Sequence, residues 1–121
     1  MNELKARIIF VDDDKIQHMI NRKNMLRLNP NLELIFFENP YSALDWLESG
    51  EADLLLLDIN MPEMSGWEFL ENLENRGIQI PAYMLSSSMD PEDIDRSNSY
   101  AAVKGFLIKP LQISAIQSLL E

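Results

Sequence analysis

Residues 54–62 read LLLLDINMP, so that four leucines lead directly into an acid at position 58. Two other apolar runs also end in charged residues: residues 8–11 precede Asp12, Asp13 and Asp14, and residues 106–108 precede Lys109. Runs of this length are typical of parallel strands covered on both faces, and ligands of such sheets bind beyond the carboxyl ends of the strands. We therefore expect the acids and the lysine to meet at one site.

Short apolar runs alternate with amphipathic segments along the chain, which predicts five βα units and a parallel sheet. The predicted strands are Arg7 to Val11, Leu34 to Phe37, Asp53 to Leu57, Ala82 to Leu85 and Gly105 to Ile108. The predicted helices are Lys15 to Leu28, Pro40 to Ser49, Gly66 to Asn75, Pro91 to Tyr100 and Ile113 to Leu120. Right-handed crossovers on such a doubly wound α/β sheet give the strand order 2-1-3-4-5, which brings Asp12, Asp13 and Asp58 to the switch point between strands 1 and 3.

Several helix starts carry explicit capping signals. Asn39 and Asp90 each stand before a proline, which predicts an N-cap followed by proline at the first helical position. Ser65 and Glu68 have the spacing of a capping box. Asp14 is predicted to cap the first helix.

Composition narrows the class of protein. The chain has 121 residues, which fits a single domain over residues 1–121, and it has no cysteine, which excludes disulfides, thiolate zinc sites and thiol catalysis. The net charge of −10 argues against direct nucleic-acid binding, which depends on neutralising phosphates. The sequence contains no long apolar segment, so we expect no membrane association and a cytoplasmic location.

Carboxylates crowded at one site need cations. Two of them about 4 Å apart repel by roughly 4 kcal/mol at an effective dielectric near 20. A divalent metal and Lys109 are the predicted compensators. A carboxylate directly after four leucines is costly to place unless the protein uses it, which marks Asp58 as a candidate functional residue.

The motif order resembles the receiver domain of bacterial two-component response regulators, a flavodoxin-like fold. The motifs are VDDD at residues 11–14, LLLLDINMPEMSG at 54–66, MLSSS at 84–88 and GFLIKP at 105–110. The resemblance implies that Asp58 is the phosphoacceptor. It implies that Mg²⁺, which Mn²⁺ can replace, is held by Asp12, Asp13, Asp58 and the backbone carbonyl of Asn60.

The same resemblance assigns roles near the phosphoryl group. Ser86 and Lys109 would contact phosphoryl oxygens, with Ser87 as the small residue that follows. The bond between Lys109 and Pro110 would be cis. Phe106 takes the position of the switch aromatic, although simple packing in the last strand explains it equally well.

As a function, the resemblance implies a switch that is phosphorylated by a histidine kinase or a phosphotransfer protein. The target would be a downstream protein that docks on the face formed by the fourth helix, fifth strand and fifth helix. The protein would be a monomer or a phosphorylation-dependent dimer, and would catalyse only its own phosphorylation and dephosphorylation. Whether an output domain follows Glu121 stays open.

Two other functions compete with this one. A Mg²⁺-dependent aspartyl phosphatase of small phosphoesters would use an acid two residues after its nucleophile, but that position is Asn60. A phosphorylation-independent adaptor would keep the fold without the chemistry. His18 falls in the middle of the first helix, away from the strand ends, and is predicted to be a surface residue rather than a phosphorelay histidine.

Overall fold

The computed structural model describes residues 7–87 and 90–120, so Ser88 and Glu121 lie outside the described residues. The strands are β1 Arg7–Val11, β2 Glu33–Phe37, β3 Leu54–Asp58, β4 Ala82–Ser86 and β5 Val103–Ile108. The helices are α1 Lys15–Leu28, α2 Pro40–Ser49, α3 Gly66–Asn75, α4 Pro91–Ser97 and α5 Ile113–Leu120. The strand boundaries differ from the predicted ones by no more than two residues.

All strand pairs in the sheet are parallel, and the strand order is β2-β1-β3-β4-β5, which confirms the predicted topology. Alternate residues of the central strands enter two apolar clusters on opposite faces. Ile9 and Leu57 join the cluster that includes α2 and α3, whereas Phe10 and Leu56 join the cluster that includes parts of α1 and α5. Both faces of the central strands are therefore covered, which explains their continuous apolar sequences.

The predicted helix caps are all present. The side chain of Asp14 accepts hydrogen bonds from the backbone amides of Ile16 and Gln17. Asn39 and Asp90 cap α2 and α4 in the same way, each ahead of a proline. Ser65 and Glu68 form the reciprocal capping box of α3. These contacts satisfy amides that have no partner within the helix.

Helix α4 is shorter than predicted. The sequence predicted a helix to Tyr100, but α4 ends at Ser97. The hydroxyls of Ser97 and Ser99 donate to the carbonyls of Ile94 and Arg96, at 2.6 Å each, and the amide of Ser99 donates to the same Arg96 carbonyl at 3.1 Å. Such local bonds compete with helical ones, so the chain tightens into turns. Tyr100 instead stacks on Trp67, with ring centroids 5.6 Å apart.

Candidate functional site

The strand register brings the acids together. Val11 lies opposite Leu57 on the neighbouring strand, so Asp12 and Asp58 follow at adjacent strand ends. Carboxylate oxygens of Asp12, Asp13 and Asp58 all lie within 4.8 Å of one another. The predicted convergence of these three acids is therefore confirmed.

The two acids after β1 differ in burial. Asp12 is 1% exposed and its side chain is held from two sides, because Oδ1 accepts from the Asp14 amide at 3.0 Å and Oδ2 contacts the Lys109 ammonium at 3.2 Å. Asp13 is exposed and lines an open cavity of about 680 Å³. The side chain of Asp12 is thus held in place by the protein, whereas the side chain of Asp13 is accessible to a ligand in the cavity.

Lys109 links the site to the far edge of the sheet. Its ammonium lies 3.2 Å from Oδ1 of Asp58, as well as 3.2 Å from Asp12. Its backbone amide donates to the Ser86 carbonyl at 2.8 Å, and the peptide bond to Pro110 is cis, as expected. Burial lowers the pKa of Lys109, but Asp12 and Asp58 outweigh burial, so the pKa is raised and the lysine stays charged.

Asp58 is held in an environment that opposes its charge. The side chain is buried, and burial together with the neighbouring Asp12 raises its pKa to about 6. The Lys109 ammonium and the Asn60 amide, 3.3 Å from Oδ1, limit that rise. At neutral pH Asp58 is therefore mostly ionised, and a further cation would stabilise the carboxylate.

The donor atoms suit a hard divalent cation. Three carboxylates meet beside the cavity, and one ammonium is not enough to balance three negative charges. Mg²⁺ prefers oxygen ligands and keeps several waters, so an open, acid-lined cavity fits it. Asn60 lines this cavity together with Asp58, Ser87 and Lys109. Three of the predicted ligand residues, Asp13, Asp58 and Asn60, thus line one cavity, and the fourth, Asp12, lies close to the other two acids.

The two serines after β4 differ in accessibility. Ser86 is the last residue of the strand and its side chain is buried, whereas Ser87 is exposed and is one of the residues that line the cavity. Phe106 lies opposite Met84 in the sheet, half-buried, and packs against the core cluster. This position suits both interpretations of Phe106, so its role as a switch stays a prediction.

The prediction that His18 is a surface residue is wrong. His18 is 8% exposed, and its Nε2 lies 2.7 Å from the Asp12 carbonyl oxygen. The ring packs at an angle against Phe36 of β2, with centroids 4.9 Å apart. No local pattern in the sequence indicates this burial, because the partner ring belongs to strand β2, outside helix α1.

Gly66 also matters more than the sequence indicated. A Cβ at Gly66 would lie 2.7 Å from the Asp58 carbonyl oxygen and 3.0 Å from Cα of Ile59. The amide of Gly66 donates to the Ile59 carbonyl at 2.8 Å. The first turn of α3 therefore rests directly on the backbone that carries the acid, which only a residue without a side chain permits.

No helix within residues 7–87 and 90–120 has both the length and the apolar composition needed to cross a membrane. Two basic residues make contacts with strand β2: Arg7 pairs with Glu33 at 3.0 Å, and the guanidinium of Arg22 lies over the Phe36 ring.

Comparison with known proteins identifies the family. The family model for the response regulator receiver domain matches residues 8–121. The chain is 35% identical over 114 residues to the cyclic di-GMP phosphodiesterase response regulator RpfG of Xanthomonas campestris, a match that covers 91% of this chain and 29% of that protein. It is 28% identical over 120 residues to the transcriptional regulatory protein DegU of Brevibacillus brevis, which covers 96% of this chain and 49% of the relative. The chain thus spans less than half the length of both relatives.

Solved structures of response regulators have the same fold as this chain. The chemotaxis protein CheY4 of Vibrio cholerae is 25% identical, with a TM-score of 0.79 and 97% of both chains covered. A two-component response regulator from Cytophaga hutchinsonii is also 25% identical, with a TM-score of 0.83 and coverage of 97% of this chain and 96% of the other. The parallel 2-1-3-4-5 sheet, the acids at its switch point and the family match lead to one conclusion: this chain belongs to the response regulator receiver domains of two-component signal transduction systems.

Proposed function

We propose that Asp58 is the phosphoacceptor of this receiver domain. The observation that carries the proposal is the buried Asp58 carboxylate, which lies near Asp12, contacts the Lys109 ammonium and lines an open cavity. In the transfer, a carboxylate oxygen attacks the phosphorus of a phosphohistidine. The P–O bond forms as the P–N bond breaks, and the electron pair of that bond leaves with the imidazole of the donor.

Lys109 and Ser86 are the residues proposed to receive the phosphoryl oxygens. The Lys109 ammonium already touches Oδ1 of Asp58, so it can follow negative charge onto the phosphoryl group as a point charge. The Ser86 hydroxyl can donate one hydrogen bond. Ser87 lines the cavity with a small side chain, which leaves room for the incoming group.

Asp12, Asp13, Asp58 and the backbone carbonyl of Asn60 are proposed to hold Mg²⁺. The ion, when bound, neutralises the acids and orients donor and acceptor oxygens, and Mn²⁺ can take its place because it accepts the same oxygen ligands. Asp12 is fixed by its hydrogen bonds before any ion arrives. Asp13 is exposed and offers the most accessible carboxylate.

The proposed phosphodonor is a histidine kinase or a phosphotransfer protein, and the proposed target is a downstream protein. We assign target binding to the face formed by α4, β5 and α5, where Phe106 is the proposed switch residue. The net charge of −10 argues against direct nucleic-acid binding. We expect residues 1–121 to form one receiver domain that is cytoplasmic, and that is monomeric or dimerises on phosphorylation.

We further propose that the domain catalyses only its own phosphorylation and dephosphorylation. A phosphatase acting on small phosphoesters would need a general acid two residues after Asp58, where Asn60 cannot transfer a proton. An adaptor that had lost the chemistry would have no need to keep Asp58 and Lys109 in a costly buried contact. Neither alternative is favoured.

Intact-mass spectrometry after incubation with acetyl phosphate and Mg²⁺ tests the proposal. We expect one phosphoryl group on the wild type, none on Asp58→Asn, and none on the wild type when the metal is chelated. Asp95→Asn is the matched control, because it makes the same change at an exposed acid of α4 and should be labelled normally. Equal labelling of Asp58→Asn and the wild type would refute the assignment.

A further inference from the structure

His18 makes a contact that the phosphorylation chemistry does not explain. Its Nε2 lies 2.7 Å from the carbonyl oxygen of Asp12, and a carbonyl oxygen can only accept a hydrogen bond. The imidazole must therefore carry a proton on Nε2 and donate it. We propose that His18 is a positioning residue that orients the metal-binding acids; the inference rests on the proposed function, because it takes Asp12 and Asp13 as ligands.

The hydrogen bond acts on the peptide plane between the two acids. The Asp12 carbonyl belongs to the peptide that joins Asp12 to Asp13, and this unit is rigid. Holding its oxygen therefore restrains ψ of Asp12 and φ of Asp13, two of the dihedral angles that set the directions of the two side chains. The other polar atoms of Asp12 are also held: its amide donates to Phe37 at 3.1 Å, and its carboxylate contacts the Asp14 amide and Lys109. His18 supplies the restraint on the carbonyl.

The imidazole can apply this restraint because the core holds it in place. Its ring packs on Phe36, which stacks on Phe10 with centroids 4.7 Å apart. The guanidinium of Arg22 lies over the same Phe36 ring, 4.8 Å from its centroid. The donor is thus anchored to β1 and β2 rather than to the surface of α1.

Simple packing does not account for a histidine here. Nδ1 is buried, and none of the residues that the structure describes makes a hydrogen bond with it. Burying a polar atom without a partner is unfavourable, so a phenylalanine would satisfy the ring contacts better. The hydrogen bond from Nε2 to the Asp12 carbonyl explains why this position holds a histidine rather than a phenylalanine.

Two substitutions separate the hydrogen bond from the packing. His18→Phe keeps a ring against Phe36 and removes the donor. His18→Gln keeps a donor at about the reach of Nε2 and removes the ring. We expect His18→Phe to bind Mg²⁺ about three- to tenfold more weakly than the wild type, by calorimetric titration, and His18→Gln to recover most of the loss.

A metal-free readout accompanies the titration. In a ¹⁵N–¹H spectrum recorded with chelator, the Asp13 amide should shift in His18→Phe and stay near its wild-type position in His18→Gln, because it belongs to the restrained peptide. Met19→Ala is the control, since Met19 is 72% exposed on the same helix and should change neither quantity. If His18→Phe does not fold, His18→Asn replaces it: its amide is too short to reach and should show the same loss.

Two results would overturn the inference: wild-type Mg²⁺ affinity in His18→Phe, or an equal loss in His18→Phe and His18→Gln. Urea unfolding of each variant separates a general loss of stability from a change at the site. Phosphorylation is measured separately. A wild type that binds Mg²⁺ but accepts no phosphoryl group would contradict the role of Asp58 and leave the comparison of His18 variants valid.

Discussion

The ammonium of Lys109 lies 3.2 Å from Oδ1 of Asp58, inside a site where the lysine is also 3.2 Å from Asp12. One cation thus balances two buried carboxylates. Because the net charge of this group is negative, the metal-free protein depends strongly on the lysine, and an added cation has an electrostatic reason to bind.

Replacing this lysine should therefore destabilise the metal-free protein. We expect Lys109→Met to lower the free energy of unfolding at pH 7.5 by about 1 to 3 kcal/mol in the presence of chelator, because two buried acids lose their counter-ion. Urea unfolding measures the loss, and saturating Mg²⁺ should reduce it. Lys104→Met is the control, since this exposed lysine reaches only the Ala101 carbonyl in the described structure and its loss should have little effect.

The raised pKa of Asp58 predicts how stability depends on pH. The folded pKa of about 6 exceeds the ordinary aspartate value of 3.8, so the folded state binds the proton more tightly than the unfolded state does. Stability from this group is present below pH 4 and is lost as the pH rises through 6. Asp58→Asn should thus be more stable than the metal-free wild type at pH 7.5, by about 1 to 3 kcal/mol.

Unfolding of both proteins in chelator across pH 4 to 8 tests this sign. The difference between them should grow with pH and level off above pH 7. A constant difference, or one that shrinks with rising pH, would show that the pKa of Asp58 is not raised.

The neighbouring acids Asp13 and Asp14 should behave differently. Asp13→Ala is expected to weaken Mg²⁺ binding by at least about tenfold and to change stability by less than about 0.5 kcal/mol, because this exposed carboxylate has little folding role. Asp14→Ala should cost about 1 kcal/mol, because it removes the N-cap of α1. Calorimetric titration and urea unfolding of both variants test the pair, and equal Mg²⁺ affinities would refute the division of roles.

The two serines after β4 test the route of the switch. Ser86→Ala should still accept phosphate on Asp58 but show smaller chemical-shift changes in α4 and β5, because the phosphoryl group loses one contact that differs between the two states. Ser87→Ala is the matched control and should respond as the wild type does. A full response in Ser86→Ala, or a reduced response confined to Ser87→Ala, would exclude a route through Ser86 and Phe106.

Gly66→Ala should damage the site through the backbone. The added Cβ would lie 2.7 Å from the Asp58 carbonyl oxygen, so α3 or the end of β3 must move, at a cost of about 1 to 3 kcal/mol. We expect slower phosphorylation, measured by mass spectrometry. Gly105→Ala is the comparison: its Cβ would meet the side chain of Tyr83, which can turn aside, and phosphorylation should be unaffected.

Two kinds of feature could be predicted from the sequence. The helix caps at Asp14 and Ser65 depend on residues within a single turn. The meeting of the acids after β1 and β3 follows from the strand order, which right-handed crossovers in a doubly wound sheet favour. The end of α4 could not be predicted from the sequence. It depends on hydrogen bonds from the hydroxyls of Ser97 and Ser99 to backbone carbonyls, and these form only in particular side-chain conformations.

The burial of His18 depends on tertiary structure, and it could not be predicted from the sequence either. Its ring is covered because Phe36 of strand β2 packs against this side of helix α1 in the folded protein. Helix periodicity cannot distinguish such a position from an exposed one when the residue is polar. The contact of Gly66 with the Asp58 backbone is equally invisible, because it depends on the path of the loop between them.

The strand order has one further consequence, for the way in which the site can come apart. Lys109 follows β5, which is an edge strand held on one side by β4, whereas Asp12 and Asp58 follow central strands. Edge elements open locally at a lower free energy than the core. Fraying of β5 would therefore remove the ammonium and dismantle the site while β2, β1 and β3 remain paired. A phosphoryl group that binds the Lys109 ammonium would therefore also stabilise the pairing of β5 with β4. Occupancy of the site and the hydrogen-exchange protection of β5 are thermodynamically linked.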